Sequence, residues 1–128
     1  MNVNAGDVIT FERTFTREDV HLFTTVSKDE GEHHVIPDEQ GRLVIQGLLT
    51  ATLPTKIGGD FNVFARTMHF DFLKPVYTGD TVRCVTTIEK LEQQKEDRYW
   101  IKGVFTCTNQ HDTEVLRGYF DGSIFTGK

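Results

Sequence analysis

Four long segments of strand character follow one another in the second half of the sequence. They cover residues 61–73, 81–91, 98–108 and 113–125. In the first of them Phe64, Arg66, Met68, Phe70 and Phe72 share one parity, which is the two-residue period of a β-strand. The breaks between the last three segments are short and polar. Consecutive strands with such connections favour an antiparallel meander, in which each strand lies beside the next.

The first half of the chain predicts one further strand and a short helix. Residues from Val8 to Phe15 alternate in the same way and should join the sheet. Thr16 comes next and is followed by Glu18 and Asp19. A hydroxyl residue followed by carboxylates favours a helix start, because the carboxylates face the positive end of the helix dipole. We therefore expect a helix over residues 17–26.

An apolar segment from Leu43 to Ile57 lies between these two halves. It predicts a buried central helix that is kinked at Pro54, since an interior proline removes a backbone hydrogen bond and costs about 3 kcal/mol. The glycine pair 58–59 should end this helix. Leu48 and Leu53 are expected to be buried against the sheet. One apolar helix on one face of an antiparallel sheet gives an α+β architecture.

Composition narrows the partners and the compartment. The 128 residues, 38% of them hydrophobic, suit a single domain over residues 1–128. A net charge of −5 without a basic cluster argues against a nucleic-acid partner, and the longest apolar stretch is too short to span a membrane. No signal-peptide pattern is visible at the start. Cys84 and Cys107 have no metal or redox spacing, so they predict two free, packed thiols and a cytoplasmic protein.

The polar segment 27–40 carries the residues most suited to chemistry, and we expect it to be a loop. It contains Asp29, His33 and His34. An Asp and a His five residues apart can reach one side of a loop and together orient and activate a water molecule. The alternative is that Asp29 caps a turn and the histidine is solvated. Because His33 adjoins His34, the register of the loop leaves open which of the two histidines acts with Asp29.

Three motifs point to a known family. The loop from Ser27 to His34 reads Ser-Lys-Asp-Glu-Gly-Glu-His-His, the apolar segment includes Gln46-Gly47, and the stretch from Phe72 to Val82 reads Phe-Leu-Lys-Pro-Val-Tyr-Thr-Gly-Asp-Thr-Val. They resemble the Ser-Gly-Asp-x-Asn-Pro-x-His loop, the His-Gly pair and the Phe-x-x-Pro-Val-x-x-Gly-Asp-x-Val stretch of the MaoC-like (R)-specific enoyl-CoA hydratases and 3-hydroxyacyl thioester dehydratases. Four positions depart from that pattern: Lys28, Gly31, Glu32 and Gln46.

The resemblance implies a hot-dog fold, which is an antiparallel sheet wrapped around a central helix. It also implies reversible hydration of trans-2-enoyl thioesters to (3R)-hydroxyacyl thioesters. The acyl group would be attached to coenzyme A or acyl carrier protein, and no metal or redox cofactor is implied. Asp29 would be the general base on water, His34 the partner acid and base, and the N–H of Gly47 the donor to the thioester oxygen. A homodimer joined edge to edge, with the acyl thioester entering between the subunits, is implied as well.

Other interpretations stay open. The four departures favour a non-catalytic acyl-thioester-binding or assembly subunit. A hot-dog thioesterase would use a carboxylate of the central helix. The absence of Asp and Glu between Leu43 and Gly58 argues against that function. Gly47 also fits a close-packing glycine. The hydroxyl of Thr55 either lies near the water or bonds its own helix. Arg66 either meets a carrier phosphate or is solvated, and His69 lies in the same strand on the opposite parity.

Overall fold

The computed structural model describes residues 2–126, which form five strands and four helical segments. The strands are β1 (Val8–Thr14), β2 (Phe64–Phe72), β3 (Thr81–Lys95), β4 (Arg98–Thr108) and β5 (Glu114–Phe125). The helical segments are α1 (Arg17–Ser27), α2 (Glu32–Val35), α3 (Gly47–Thr50) and α4 (Thr52–Asp60). The predicted strand and helix order is therefore confirmed, except that a helical turn, α2, interrupts the expected loop 27–40.

All five strands form one antiparallel sheet in the order β1-β3-β4-β5-β2. The single antiparallel sheet is confirmed, but the expectation of a simple meander is wrong, because β2 pairs with β5 at the far edge instead of with β3. The connection from β2 to β3 has eight residues, 73–80. An extended chain of that length spans about 26 Å, which exceeds the three inter-strand steps of about 4.8 Å that separate β2 from β3.

The start of α1 is fixed by a reciprocal cap. The side chain of Thr16 accepts a hydrogen bond from the backbone N–H of Asp19, and the Asp19 carboxylate accepts one from the N–H of Thr16. Two helix N–H groups that would otherwise lack partners are thereby satisfied. The predicted helix of residues 17–26 is confirmed to within one residue at its end.

The predicted helix from Leu43 to Ile57 needs correction. Residues 43–46 are extended, and Val44 forms an isolated antiparallel bridge with Tyr77. Helix begins only at Gly47, breaks at Ala51 and continues to Asp60, beyond the glycine pair that was expected to end it. Pro54 lies in the first turn of α4, where a missing backbone N–H is tolerated, so the proline follows the break instead of kinking the helix near its end.

The core lies between α3–α4 and the concave face of the sheet. Leu53 is completely buried there with Ile57, Phe105 and Leu116, as predicted for Leu53. The prediction for Leu48 is wrong, because 60% of this residue is exposed. The reason is the break after Thr50: α3 is a single turn, and Leu48 sits on its outer side while the next residue, Leu49, is buried.

The two cysteines behave as the sequence indicates. Cys84 and Cys107 are free, fully buried and directly opposite each other on β3 and β4. A hydrogen bond with Cys84 and burial raise the pKa of the Cys107 thiol far above its ordinary range. Among the helices of residues 2–126, none has the length and apolar character needed to cross a bilayer.

Replacement of Leu53 by alanine should strongly destabilise the fold. A completely buried leucine leaves a cavity when it is truncated, and the expected loss in the free energy of unfolding is about 2–5 kcal/mol. Leu48→Ala is the matched control on the neighbouring helical turn, and a change within about 0.5 kcal/mol is expected for it. Denaturant unfolding followed by circular dichroism measures both. Equal losses for the two variants would contradict the assigned burial.

Candidate active site

The loop after α1 holds the Asp29 carboxylate in a fixed orientation. Lys28 caps the helix in the left-handed backbone region, with φ 63°. The N–H of Asp29 then donates to the Ser27 hydroxyl at 3.0 Å, and the N–H of Gly31 donates to Oδ1 of Asp29 at 3.3 Å. Because Oδ1 is engaged within the turn, Oδ2 is the oxygen that remains for a partner outside it. The prediction that Asp29 caps a turn is therefore confirmed, and this leaves its second oxygen available.

That partner is His34. Its side chain is buried, and its Nε2 lies 3.5 Å from Oδ2 of Asp29. Its Nδ1 lies 2.7 Å from the carbonyl oxygen of Val44. A carbonyl oxygen only accepts hydrogen bonds, so Nδ1 carries the proton and, in the neutral ring, the lone pair is on Nε2. The prediction of a solvated loop histidine does not hold for His34, because α2 places it beneath the loop.

Two acceptors therefore face each other across 3.5 Å. An ionised Asp29 carboxylate and the Nε2 lone pair of neutral His34 cannot hydrogen-bond directly, since neither atom carries a proton. A water molecule has two O–H donors and can satisfy both acceptors at once. The arrangement is thus suited to binding one water and removing a proton from it.

His33 occupies a different position from its neighbour. It is exposed, and its ring packs against that of His34 with centroids 3.9 Å apart. Its backbone carbonyl accepts a hydrogen bond from the N–H of Val44 at 2.8 Å. The structure therefore distinguishes the two histidines: His34 is the one that faces Asp29.

Gly47 lies at the other side of the same site, at the first position of α3. The N–H of a first helical residue has no partner within the helix, and Gln46 provides no side-chain cap. A Cβ on Gly47 would lie 2.8 Å from the ring of Phe72, so the close-packing interpretation of this glycine is confirmed. Because α3 has only four residues, the candidate donor role rests on the N–H itself instead of on a helix dipole.

His34 and Gly47 both line a cleft of about 420 Å³, and Asp29 contacts this lining through His34. The lining combines the two histidines, the start of α3 and the Phe-x-x-Pro-Val stretch: His33, His34, Val44, Ile45, Gly47, Thr50, Phe72, Leu73, Lys74, Pro75, Val76 and Val115. Thr50 is a residue that the sequence did not single out. The Thr55 hydroxyl donates to the backbone oxygen of Thr52 at 2.9 Å and lies outside this cleft, so the alternative of a bond within its own helix is confirmed. Thr50 and His34 both line this cleft.

Gln46 departs from the family motif but does not line the cleft. It is buried, and its Nε2 donates to the Thr24 hydroxyl at 2.9 Å and approaches the Val20 carbonyl at 3.5 Å. The side chain therefore ties α3 to α1, and its Oε1 has no hydrogen-bond partner among residues 2–126. The histidine that the motif would place here is replaced by a residue with a structural contact.

The remaining polar candidates are distant from the cleft. Arg66 is exposed on β2, and His69 forms a 3.1 Å contact with Asp71 and stacks on Tyr119. Asp60, the carboxylate at the end of α4, pairs with Lys56 at 2.6 Å and does not line the cleft. Within the described part of the chain, no group of three or more His, Cys, Asp or Glu side chains is arranged to hold a metal ion.

The overall fold agrees with that of known proteins. A sequence model of the Thioesterase superfamily matches residues 47–95. The R-hydratase PhaJ1 from Pseudomonas aeruginosa superposes with a TM-score of 0.82 at 16% identity, covering 98% of this chain and 84% of that one. The chain has the hot-dog fold. Its structural neighbours include the MaoC-like dehydratase from Rhodospirillum rubrum, which superposes with a TM-score of 0.77 at 15% identity, covering 99% of this chain and 96% of that one.

Two further comparisons bear on this hot-dog domain. The (R)-hydratase from A. caviae involved in PHA biosynthesis superposes with a TM-score of 0.82 at 18% identity, covering 97% of this chain and 98% of that one. In sequence, the mitochondrial 3-hydroxyacyl-[acyl-carrier-protein] dehydratase of Arabidopsis thaliana is 27% identical in an alignment of 123 positions that covers 89% of this chain and 72% of the relative. Other hot-dog neighbours are components of complexes, ChsH1-ChsH2 and HadBC of Mycobacterium tuberculosis.

The tautomer of His34 provides a direct test of the site. In ¹⁵N spectra recorded at a pH where the ring is neutral, we expect the proton of His34 on Nδ1, because the Val44 carbonyl accepts it. His21, which is exposed on α1, is the control for a solvated ring. A His34 ring that carries its proton on Nε2 would contradict the geometry of the pair.

Proposed function

We propose that this hot-dog domain catalyses the reversible hydration of trans-2-enoyl thioesters to (3R)-hydroxyacyl thioesters. The observation that carries the proposal is the pair of facing acceptors, Asp29 Oδ2 and His34 Nε2, of which His34 lines one cleft together with Gly47. The hydratase and dehydratase names of the structural neighbours and of the Arabidopsis relative support it. No metal or redox cofactor is part of the proposal, since addition of water changes no oxidation state overall and needs only acid–base groups.

The chemistry follows from the positions of the groups. Water donates its two O–H groups to Asp29 and His34, and its oxygen attacks C3 of the enoyl thioester. One proton passes to the pair, with Asp29 as the general base, while the C2–C3 π electrons move toward the thioester carbonyl. The proton held by the pair then returns to C2 from the same face, so the net addition is syn. Dehydration is the same sequence in reverse.

The thioester oxygen needs a donor while it carries this charge. Gly47 lines the same cleft as His34, and its N–H has no partner within α3. A donor fixed in the backbone needs no reorganisation when negative charge develops on the oxygen. We assign Gly47 N–H this role, and the absence of a side chain at Gly47 keeps the Phe72 ring close without blocking the site.

Asp29→Asn should abolish most turnover while the fold is kept. The amide is nearly isosteric but cannot take a proton from water, so kcat/KM on an enoyl-CoA should fall by about 10²–10⁴-fold. His34→Ala should lose a similar factor, and the double variant should lose little more, because the two residues act as a unit. Loss of enoyl absorbance measures the rate, and circular dichroism checks folding.

His33→Ala is the matched control for this series, because His33 adjoins His34 but does not face Asp29. A folded Asp29→Asn enzyme with full rate would refute the assignment. A wild-type protein that binds acyl thioesters but is inactive at every chain length would support the binding-subunit alternative. Release of free thiol from a saturated acyl-CoA would instead support a thioesterase, the function in the name of the superfamily whose model matches residues 47–95.

We further propose a homodimer joined through β2. Residues 64–69 of this edge strand are all exposed, on both of its faces, whereas alternate residues of the other edge strand, β1, are half-buried. Phe64 packs edge-on against Phe125, and both rings are exposed. An unpaired edge with aromatic side chains favours pairing with a second copy. The complexes formed by hot-dog neighbours support assembly in general.

Phe64→Glu should weaken this dimer, since it places a charge in the proposed contact. Val8→Glu is the control, because Val8 is 62% exposed on β1 and Phe64 is 66% exposed on β2. Sedimentation at micromolar concentration should show a dimer for the wild type and Val8→Glu, and more monomer for Phe64→Glu. A wild-type monomer of 14.6 kDa would refute the proposal.

The carrier and the compartment complete the proposal. We propose coenzyme A or acyl carrier protein as the carrier, and parallel assays with both thioesters distinguish them.

The cytoplasm remains our proposed compartment, supported by two free buried thiols, which suit a reducing environment. A fluorescent fusion found in another compartment would refute it, and the mitochondrial relative makes that organelle the first comparison.

A further inference from the structure

We infer that Gln46 is a positioning residue for the proposed reaction: its buried side chain fixes the peptide that carries the Gly47 N–H relative to the turn that carries Asp29. The inference rests on the proposed function, because it concerns how the donor to the thioester oxygen and the general base are held at a fixed separation. Gln46 does not line the catalytic cleft, so it acts only through its neighbours.

The orientation of the Gly47 N–H depends on residue 46, because the two residues share one peptide unit. The Gln46 carbonyl accepts hydrogen bonds from the N–H groups of Leu49 at 2.9 Å and Thr50 at 3.1 Å. The peptide bond is trans, so its N–H points in the direction opposite to its carbonyl. The carbonyl faces the helical turn, and the N–H therefore faces away from it. Any shift of residue 46 changes where this donor points.

The side chain of Gln46 anchors the peptide to the last turns of α1. The residue is 1% exposed, and its Nε2 donates to the Thr24 hydroxyl at 2.9 Å. The backbone carbonyl of Thr24 in turn accepts the N–H of Lys28 at 2.8 Å, which closes α1 directly before Asp29. Two hydrogen bonds thus lead from residue 46 to the residue that precedes the general base.

The apolar packing of α1 against α3 is incomplete. A crevice of about 220 Å³ is lined by Leu22, Phe23 and Val26 of α1 and by Leu49 of α3, among others. Within the described part of the chain, the side-chain hydrogen bonds of Gln46 are the only ones that connect α1 with α3 and its N-cap. The position of the peptide before α3 therefore depends strongly on this amide.

The other end of the same amide destabilises the fold. Gln46 Oε1 is buried and has no hydrogen-bond partner within residues 2–126. A buried acceptor without a partner is unfavourable, whereas an apolar side chain of the same shape avoids that cost. Stability alone would therefore favour methionine at this position. The amide is explained if the hydrogen bond of its Nε2 serves the site.

Gln46→Met tests the inference, because methionine has a similar shape but no N–H to donate. The Thr24 hydroxyl is then free to bond its own helix, as the neighbouring Thr25 hydroxyl already does at 3.1 Å. We expect an unfolding midpoint at or above that of the wild type. We expect kcat on an enoyl-CoA to fall about 10–100-fold with KM nearly unchanged, because a displaced donor loses mainly its interaction with the charge of the transition state.

Thr24→Val removes the same hydrogen bond from its other side and should lower kcat by a similar factor. The double variant should lose little more, since both substitutions break one contact. Thr25→Val is the matched control, because it removes an exposed hydroxyl from the same helix, and it should keep the wild-type kcat. Wild-type kcat in folded Gln46→Met and Thr24→Val would overturn the inference. A fall in the unfolding midpoint of Gln46→Met that matches its loss of kcat would also overturn it, because the role would then be structural.

Nuclear magnetic resonance without turnover separates this inference from the proposed function. When the saturated thioester butyryl-CoA is added to the wild type, the Gly47 amide proton should shift downfield, because the thioester carbonyl accepts a hydrogen bond from it. The shift should be smaller in Gln46→Met and unchanged in Thr25→Val. This pattern in an inactive wild type would refute hydration but support the positioning role. The same shift in all three proteins, or none in any of them, overturns the role of Gln46 even if the wild type hydrates enoyl-CoA.

Discussion

The extended segment 43–46 is the contact on which the site depends. Val44 uses both of its backbone groups on the histidine turn: its N–H donates to the His33 carbonyl at 2.8 Å, and its carbonyl accepts from Nδ1 of His34 at 2.7 Å. On the other side, the N–H of Ile45 donates to the Val76 carbonyl at 2.7 Å. A short piece of backbone thus connects the catalytic turn with the Pro-Val stretch and leads directly into Gly47.

This connection explains how a loop that departs from its family motif can still place the reacting groups. Gly31 stands where the motif has an asparagine, and a Cβ there would lie 3.1 Å from the His33 ring and 3.3 Å from the His34 ring. The glycine lets the turn close tightly over the histidines, and its own N–H engages Oδ1 of Asp29. The orientation of Asp29 and His34 is therefore set by backbone hydrogen bonds, which do not depend on the replaced side chains.

Strand β2 connects the catalytic cleft with the exposed edge of the sheet. Its residue Phe72 lines the cleft, while its outer edge has no strand partner within residues 2–126. The position of β2 results from the crossing of residues 73–80, which carries the chain from one edge back toward the middle of the sheet. If two copies pair through this edge, as we propose, β2 lies between the catalytic cleft and the subunit interface.

The sequence by itself determined the strands, the antiparallel sheet, the capped helix α1 and the pairing of residue types in Asp29 and His34. Period-two alternation, a reciprocal Thr16–Asp19 cap and motif spacing are local signals, so they can be read along the chain. The sequence did not determine the position of β2 beside β5 or the break at Ala51, because both depend on which distant surfaces pack together. The family spacing favoured His34 over His33, but the residues alone did not separate them; the Val44 carbonyl, ten residues away in the chain, binds the ring that is buried. Tertiary structure decided these points, because hydrogen bonds between distant segments and the burial of one helix face have no short-range signature.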